Sequence, residues 1–264
     1  MSQELNQEFT IELAVAKDIA RKAGIVMLRY FDNDKATEIK ADNSPVTVAD
    51  KEINRLVIDE LSKHFHDGVI GEEESTATYG AGRRWICDPI DGTKGYIVGL
   101  PTAMFSLGFI IDGVPILGVA YDPFLDRLYT ALRGDGSYCN DMRLHVSSKG
   151  LSGQYVGLTS SPKRTPLYKD FIERLSKDGA DFASFSGGVY KMCLVARGSL
   201  VGYLDAGLNP HDTAAGQLIV EEAGGTVTDF KGNALEYNHT FKGALFSNTL
   251  VHLELLKALN GVEL

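Results

Sequence analysis

Near the N-terminal end of the chain, apolar residues recur every three or four positions. Between Glu8 and Phe31 this spacing is carried by Leu13, Ala16, Ile19, Ala20, Ala23, Met27 and Tyr30. Such periodicity places the apolar side chains on one face of an amphipathic helix. A polar segment rich in turn residues follows, and a second helical pattern begins at Ile53 and ends near Phe65. The pattern predicts that the chain opens as helix, loop and helix.

Short apolar runs typical of strands come next. Residues 69–71 and 85–87 each lead directly into acidic residues, and residues 105–111, 114–121 and 127–132 continue the pattern. An Asp-Gly pair joins the first two of the longer runs, which is a hairpin signal. We therefore expect an antiparallel meander sheet packed against the first helices.

Strand and helix patterns alternate in the second half of the chain. The strand patterns cover residues 155–160, 200–204, 226–230 and 244–246, and the helix patterns cover residues 167–177, 189–196 and 211–223, with a last helix ending near Leu259. This alternation predicts an α/β half after the meander. The expected fold is α+β, layered as an α-β-α-β-α sandwich, with subdomains at residues 1–150 and 151–264 and no flexible linker between them.

The composition is that of a folded globular protein, with 44% hydrophobic and 23% charged residues. Twenty-six Lys plus Arg against 35 Asp plus Glu give a net charge of −9, which disfavours nucleic acid or an anionic membrane as a general partner. The most apolar stretch, residues 104–125, is interrupted by Asp, Gly and Pro, and the N-terminal residues lack a signal-peptide pattern. The three cysteines are widely spaced. We expect a cytoplasmic protein with reduced thiols.

Three acidic clusters lie at the ends of predicted elements: GEEE (71–74), DPIDGTK (88–94) and HDTAAG (211–216). Pro89 restricts Asp88, and the Asp91-Gly92 turn can bring both carboxylates to one point, which suits a hard divalent cation. Taken singly, each Asp is also an ordinary turn former or helix cap. An EF-hand is excluded because Gly92 falls one position too early for that loop, and no His or Cys cluster suits zinc.

In this order, the motifs resemble those of the inositol monophosphatase superfamily, which comprises Mg²⁺-dependent and often lithium-sensitive phosphatases of small molecules. The resemblance covers nearly the whole chain. Besides the acidic clusters, it is carried by SPVTVAD (44–50), VAYDPFLDRLYTA (119–131), KMCLVARG (191–198) and EEAGG (221–225). Gly-Glu-Glu alone is weak, but the ordered combination is specific. The resemblance implies a phosphomonoesterase for a small-molecule phosphate, and a homodimer.

The resemblance also implies two or three bound Mg²⁺ ions, with Mn²⁺ as a substitute. Water activated by the metal would attack phosphorus in line, and backbone N–H groups at Gly92 and Thr93 would hold the phosphate. The implied metal ligands are Glu72, Asp88, the carbonyl of Ile90, Asp91 and Asp212. The residues that would orient and deprotonate the water are Asp50, Glu72 and Thr93.

Substrate contacts implied by the resemblance fall on Gly92, Thr93, Gly187, Gly188, Asp205 and Asp212. For Asp205 a plain turn at a strand end is an equal alternative. Lys191 resembles a lysine of the 3′-phosphoadenosine 5′-phosphate phosphatase branch, and a surface or ion-paired lysine is the alternative that we favour. His211 stands where the family usually has Trp.

The motifs point to different branches of the superfamily. Residues 206–212 are similar to bacterial histidinol-phosphate phosphatases, residues 121–140 to inositol monophosphatases, and residues 40–47 to the nucleotide branch. We expect inositol-1-phosphate or a similar polyol phosphate as substrate, with histidinol phosphate and 3′-phosphoadenosine 5′-phosphate as alternatives. An alternative of another class is a non-catalytic protein that binds a phosphate ligand, which the complete set of expected ligands disfavours.

Overall fold

The computed structural model describes residues 8–33, 37–40, 44–159 and 168–259. Parts of three sequence predictions lie outside these residues: Ser160 at the end of a predicted strand, Leu167 at the start of a predicted helix, and residues 41–43 of the nucleotide-branch segment.

Helices α1 (Thr10–Phe31) and α2 (Val48–Ser62) form the opening layer, with a short hairpin, β1 (Thr37–Ile39) and β2 (Pro45–Thr47), between them. Most of the predicted apolar face of α1 is buried, and its end residues Leu13 and Tyr30 are half-buried. Helix α2 begins earlier than the predicted Ile53, because Thr47 and Asp50 form a capping box that starts the helix before the first apolar position.

A seven-stranded sheet follows, in the spatial order β3 (Gly68–Gly71), β4 (Arg83–Asp91), β5 (Met104–Ile111), β6 (Val114–Asp122), β7 (Arg127–Leu132), β8 (Gly136–Cys139) and β9 (Met142–Arg143). The strands from β4 to β9 pair antiparallel, whereas β3 pairs parallel with β4. The predicted meander is confirmed and extended by β8 and β9. A five-residue helix, α3 (Thr93–Ile97), lies between β4 and β5 in the chain.

The second half builds a five-stranded sheet. Its elements along the chain are β10 (Tyr155–Leu158), α4 (Lys169–Lys177), β11 (Asp181–Ser184), α5 (Gly188–Ala196), β12 (Gly202–Asp205), α6 (Pro210–Glu222), β13 (Gly225–Thr228), β14 (Ala244–Asn248) and α7 (His252–Leu259). The spatial order is β11-β10-β12-β14-β13. Strand β10 runs parallel to both neighbours, and β14 runs antiparallel to both of its own. The predicted helices and strands are confirmed with small shifts at their ends, and β11 is added.

Three buried clusters of apolar side chains fill the spaces between adjacent layers. Helices α1 and α2 cover one face of the seven-stranded sheet, α5 and α6 lie between the two sheets, and α4 and α7 cover the far face of the five-stranded sheet. This is the expected α-β-α-β-α sandwich. Helix α6 packs against both sheets, so the division at residue 150 stays a prediction.

Glycines let α6 approach the first sheet closely. A Cβ atom at Gly108 would lie 2.9 Å from the Cβ of Ala214, and one at Gly118 would lie 2.7 Å from the carbonyl oxygen of Ala215. Because these strand positions have no side chain, the N-terminal turn of α6 can reach the end of β4. No helix in the described part of the chain combines the length and apolar content that a membrane span requires.

Candidate active site

Three of the predicted acidic residues converge at the end of β4. One carboxylate oxygen each from Asp88, Asp91 and Asp212 lie within 4.8 Å of one another, with Asp88 and Asp91 buried and Asp212 partly buried. The pairing of β4 with β5 shifts register between Asp88 and Asp91, where Pro89 cannot donate a ladder hydrogen bond. In a regular strand, residues three apart point to opposite faces. The extra residue of the bulge lets both carboxylates reach the same site.

Burial and mutual repulsion perturb these carboxyl groups. Burial, then the nearby charges of Glu72, Asp91 and Asp212, raise the pKa of Asp88 well above its usual range. Burial and Asp212 raise the pKa of Asp91 to about 7, although Lys191 acts in the opposite direction. Burial also raises the pKa of Asp212, and the neighbouring His211 acts in the opposite direction. An uncompensated cluster of this kind favours a bound cation.

Asp50 lies beside this cluster in the first turn of α2. Its Oδ2 accepts hydrogen bonds from the Thr47 backbone N–H at 2.7 Å and from the Thr47 hydroxyl at 2.6 Å. Its Oδ1 is buried and has no hydrogen-bond partner among the described residues. Burial raises the pKa of Asp50 to about 7, with a further upward contribution from Glu72 and Glu73. One oxygen of Asp50 is thus held in place and the other is free to accept a proton.

Glu72 follows β3, and its carboxylate is engaged by a lysine. Lys40 Nζ lies 2.9 Å from Glu72 Oε1 and 2.5 Å from Glu73 Oε1. Burial works against the Lys40 charge, but hydrogen bonds to the two glutamates outweigh it and raise the pKa of Lys40. The group of three close carboxylates does not include Glu72. No sequence motif predicts a role for Lys40 or Glu73, because a lysine in a polar loop carries no pattern that would reveal its partner.

Residues 185–189, which we call the strap, pack against the turn that follows Asp91 and form hydrogen bonds with it. Gly92 has a φ of 86°, and a Cβ atom there would lie 2.9 Å from the Gly187 backbone. The Asp91 carboxylate accepts the backbone N–H groups of Gly188 at 3.0 Å and Val189 at 2.8 Å. The structure therefore brings the predicted Gly187 and Gly188 to the aspartate cluster, where α5 directs its first N–H groups at Asp91.

Thr93 follows this turn as the first residue of α3. Its hydroxyl donates to the carbonyl of Ile90 at 2.9 Å. The predicted ligand carbonyl and the predicted catalytic hydroxyl are therefore in direct contact. That the N–H groups of Gly92 and Thr93 hold phosphate stays a prediction.

The residues expected to contact substrate have mixed surroundings. Asp205 is buried at the end of β12, with Oδ1 accepting the Gly207 N–H at 2.8 Å and Oδ2 accepting the Tyr203 hydroxyl at 3.1 Å. These bonds are those of a strand-end turn, and its substrate contact stays a prediction. His211 Nε2 lies 3.6 Å from Asp212 Oδ1. Lys191 is fully buried, so the surface alternative for it is wrong.

The donor set fits a hard divalent cation. Within the described ranges, the only group of three or more close candidate ligands consists of aspartates, without His or Cys. The three cysteines are free thiols, and Cys87 and Cys193 are buried. Oxygen donors of this kind suit Mg²⁺ or Mn²⁺, and zinc sites normally use nitrogen and sulfur.

Comparison with curated proteins places this site in context. The chain is 38% identical to the Nus factor SuhB of Pasteurella multocida over 83% of its length and 85% of that protein. It is 35% identical to the fructose-1,6-bisphosphatase/inositol-1-monophosphatase of Thermotoga maritima over 92% of its length and 94% of that protein.

Solved structures share the whole fold. The inositol monophosphatase TM1415 of Thermotoga maritima superposes with a TM-score of 0.87 at 32% identity, covering 95% of this chain and 97% of that one. An IMPase/NADP phosphatase complexed with Mg²⁺ and phosphate superposes with a TM-score of 0.81 at 25% identity, covering 98% and 97% of the two chains.

The profile of the inositol monophosphatase family matches residues 10–261, nearly the whole chain. Members of this family are metal-dependent phosphatases that act on small phosphate monoesters, and the buried aspartate cluster is compatible with that chemistry. The chain therefore belongs to the inositol monophosphatase family and is a phosphoric monoester hydrolase.

Proposed function

We propose that this enzyme hydrolyses inositol-1-phosphate or a similar small polyol phosphate, using two or three Mg²⁺ ions, with Mn²⁺ as a substitute. The observation that carries the proposal is the convergence of the buried Asp88 and Asp91 with the partly buried Asp212, where the N-terminal turns of α5 and α6 meet the end of β4. The Thermotoga maritima relative named as a fructose-1,6-bisphosphatase/inositol-1-monophosphatase supports a small sugar or polyol phosphate as the substrate class.

The metal would be held by the carboxylates of Glu72, Asp88, Asp91 and Asp212 and by the carbonyl of Ile90. When bound, it would polarise the phosphoryl group, make the attacking water more acidic and offset charge on the leaving oxygen. The chain's own groups would orient that water and accept its proton. Thr93 offers a hydroxyl whose proton is already directed at the Ile90 carbonyl, and Asp50 offers the buried Oδ1 as acceptor.

A phosphate-release assay with Mg²⁺ tests the substrate. The panel contains inositol-1-phosphate, histidinol phosphate, 3′-phosphoadenosine 5′-phosphate and fructose 1,6-bisphosphate. We expect the highest kcat/KM on inositol-1-phosphate. A clear preference for histidinol phosphate or the nucleotide would replace the proposed substrate, and no turnover on any of them would favour the non-catalytic binding protein.

Thr93→Ala is expected to lower kcat by roughly 10²-fold, because losing general-base assistance typically costs this much. Metal binding should persist, since the Ile90 carbonyl and the carboxylates are unchanged. Isothermal titration with Mn²⁺ and phosphate release measure the two quantities. Thr226→Ala, which alters a half-buried threonine of β13 that shares an exposed hydrogen bond with Thr249, is the matched control and should behave as the parent. A variant with parental kcat would remove Thr93 from the proposed mechanism.

Lys40→Met is expected to tighten divalent-ion binding several-fold, because the Lys40 ammonium occupies Glu72 Oε1 at 2.9 Å and competes with a metal for that oxygen. Titration of the metal-free protein with Mn²⁺ measures this directly. Lys177→Met, which removes an exposed partner of Glu173 on α4, is the control and should leave the affinity unchanged. Weaker binding in Lys40→Met would show that the lysine helps the metal instead of competing with it.

Inhibition by lithium and assembly as a homodimer, both expected from the family resemblance, stay predictions. The lack of a nucleic-acid partner, expected from the net charge, also stays a prediction. The SuhB relatives are named Nus factors, and that name is a property of those proteins.

A further inference from the structure

Lys191 lies in the middle of α5 and is completely buried. Its Nζ donates a hydrogen bond to the carbonyl oxygen of Phe185 at 2.6 Å. The same Nζ lies 4.9 Å from the ring centre of Phe185 and 5.0 Å from that of Tyr203, within the range of cation–π attraction. A buried ammonium is costly unless its surroundings compensate it, and here a carbonyl and two aromatic faces do so.

These partners connect Lys191 to two parts of the active site, the turn after Asp91 and the carboxylate of Asp205. Phe185 is the first residue of the strap. Ser186, next to it, accepts the Gly95 N–H at 3.1 Å and donates to the Gly92 carbonyl at 3.3 Å. On the other side, the hydroxyl of Tyr203 donates to Asp205. Lys191 is therefore linked to the turn that follows Asp91 through Phe185 and Ser186, and to Asp205 through Tyr203 alone.

We propose that Lys191 is a positioning residue that holds the strap and the Tyr203 ring, and through them keeps Asp91 and Asp205 in place at the active site. It acts from inside the protein, where the carbonyl and rings of its partners surround the ammonium, and does not contact the substrate. On this proposal, anchoring Phe185 keeps the strap in the position from which the Gly188 and Val189 N–H groups donate to Asp91. The expected effect of Lys191 on turnover rests on the proposed function, whereas its anchoring of the strap does not.

Amide hydrogen exchange in the metal-free protein, without substrate, tests the anchoring separately from catalysis. Lys191→Met keeps the length of the side chain and removes its charge and its donor. We expect exchange at Gly188 and Val189 to accelerate by about tenfold or more as the strap opens more often. Lys177→Met, at an exposed position of α4, is the control and should leave these amides unchanged. Unchanged exchange in Lys191→Met would overturn the proposal, whatever the substrate of the enzyme is.

Kinetics then separate positioning from substrate contact. For Lys191→Met we expect kcat to fall by roughly 10- to 10²-fold on inositol-1-phosphate, 3′-phosphoadenosine 5′-phosphate and an aryl phosphate alike, with KM little changed, because misplacement of the shared site affects every substrate. A loss confined to the nucleotide, with raised KM, would identify Lys191 as a substrate ligand and refute the proposal.

A double-mutant cycle with Ser186→Ala tests whether both residues act through the strap. If they do, the combined loss in kcat is smaller than the product of the two single losses. Losses that multiply would mean that Lys191 acts by another route and would overturn the proposal. If Lys191→Met does not fold, Lys191→Gln replaces it in all three measurements. Gln retains an N–H donor but no charge, and parental behaviour in both exchange and kcat would refute the role of the ammonium.

Discussion

Excess chelator is expected to lower the rate of phosphomonoester hydrolysis by this enzyme by roughly 10³-fold or more, and added Mg²⁺ should restore the rate. The carboxylates of Asp88, Asp91 and Asp212 lie within 4.8 Å of one another, with Asp50 and Glu72 close enough to raise the pKa of Asp88. Without a cation, this cluster repels a phosphate dianion. Phosphate release with and without chelator measures the effect, and far-UV circular dichroism confirms that the chelated protein stays folded.

Two further arms sharpen this experiment. Ca²⁺ in place of Mg²⁺ should not support turnover, because its larger and looser coordination does not match the octahedral geometry of Mg²⁺. Mg²⁺ should also raise the melting temperature progressively, because a ligand bound only by the folded state stabilises it. Undiminished turnover in chelator would contradict the metal-dependent mechanism, and equal rates with Ca²⁺ would contradict the assignment to Mg²⁺.

Asp91→Asn is expected to reduce turnover by roughly 10³-fold while the fold survives. The substitution keeps the size of the side chain but removes a charge from the centre of the site. It also removes one of the two oxygens that accept the Gly188 and Val189 N–H groups. Phosphate release and Mn²⁺ titration measure the losses. Asp59→Asn, at an exposed position of α2, is the matched control and should keep parental turnover. A fully active Asp91→Asn would refute the metal site.

The same variant should change how stability depends on pH in the metal-free protein. Burial raises the pKa of Asp91 to about 7 in the folded state, whereas an unfolded chain has a value near 3.9. Between these values the folded state retains a proton that the unfolded state has lost, so the parent loses stability as pH rises from about 4 to about 7. The asparagine variant lacks this loss, which is on the order of 2–4 kcal/mol.

Melting temperatures of both proteins between pH 4 and 8 test this expectation. The difference between variant and parent should move in favour of the variant as pH rises, whatever its offset at pH 4. The Asp59→Asn control should follow the parent throughout. A difference that stays constant with pH would show that the Asp91 carboxyl is not destabilised in the folded metal-free protein.

Elements with strong periodicity could be predicted from local sequence, and weak ones could not. The apolar face of α1 and the alternating strands of the meander each bury a continuous surface, so the pattern carries the information. In contrast, β1 is exposed throughout and β11 is only partly buried, and their hydrogen bonds come from neighbouring strands. Helix α3 has five residues and is too short to show a period.

Much of the candidate site could be predicted because its local geometry depends on residues that are adjacent in the chain. Pro89 and Gly92 mark the bulge and the turn that bring Asp88 and Asp91 together. The position of Asp212 beside them depends instead on the close packing of α6 against β5 and β6 at Gly108 and Gly118. Those contacts join residues far apart in the chain, and no local pattern pairs them.

Ordered motifs and periodic burial are properties of neighbouring residues, so the family, the layered fold and the oxygen-donor chemistry of the site could be predicted from sequence. The roles of the two lysines depend instead on contacts that the fold creates between distant residues. Lys40 is set against Glu72 and Glu73, and Lys191 is enclosed beneath the strap. A lysine in a sequence is by default a solvated charge. Whether it becomes a buried partner depends on which distant groups the fold packs around it.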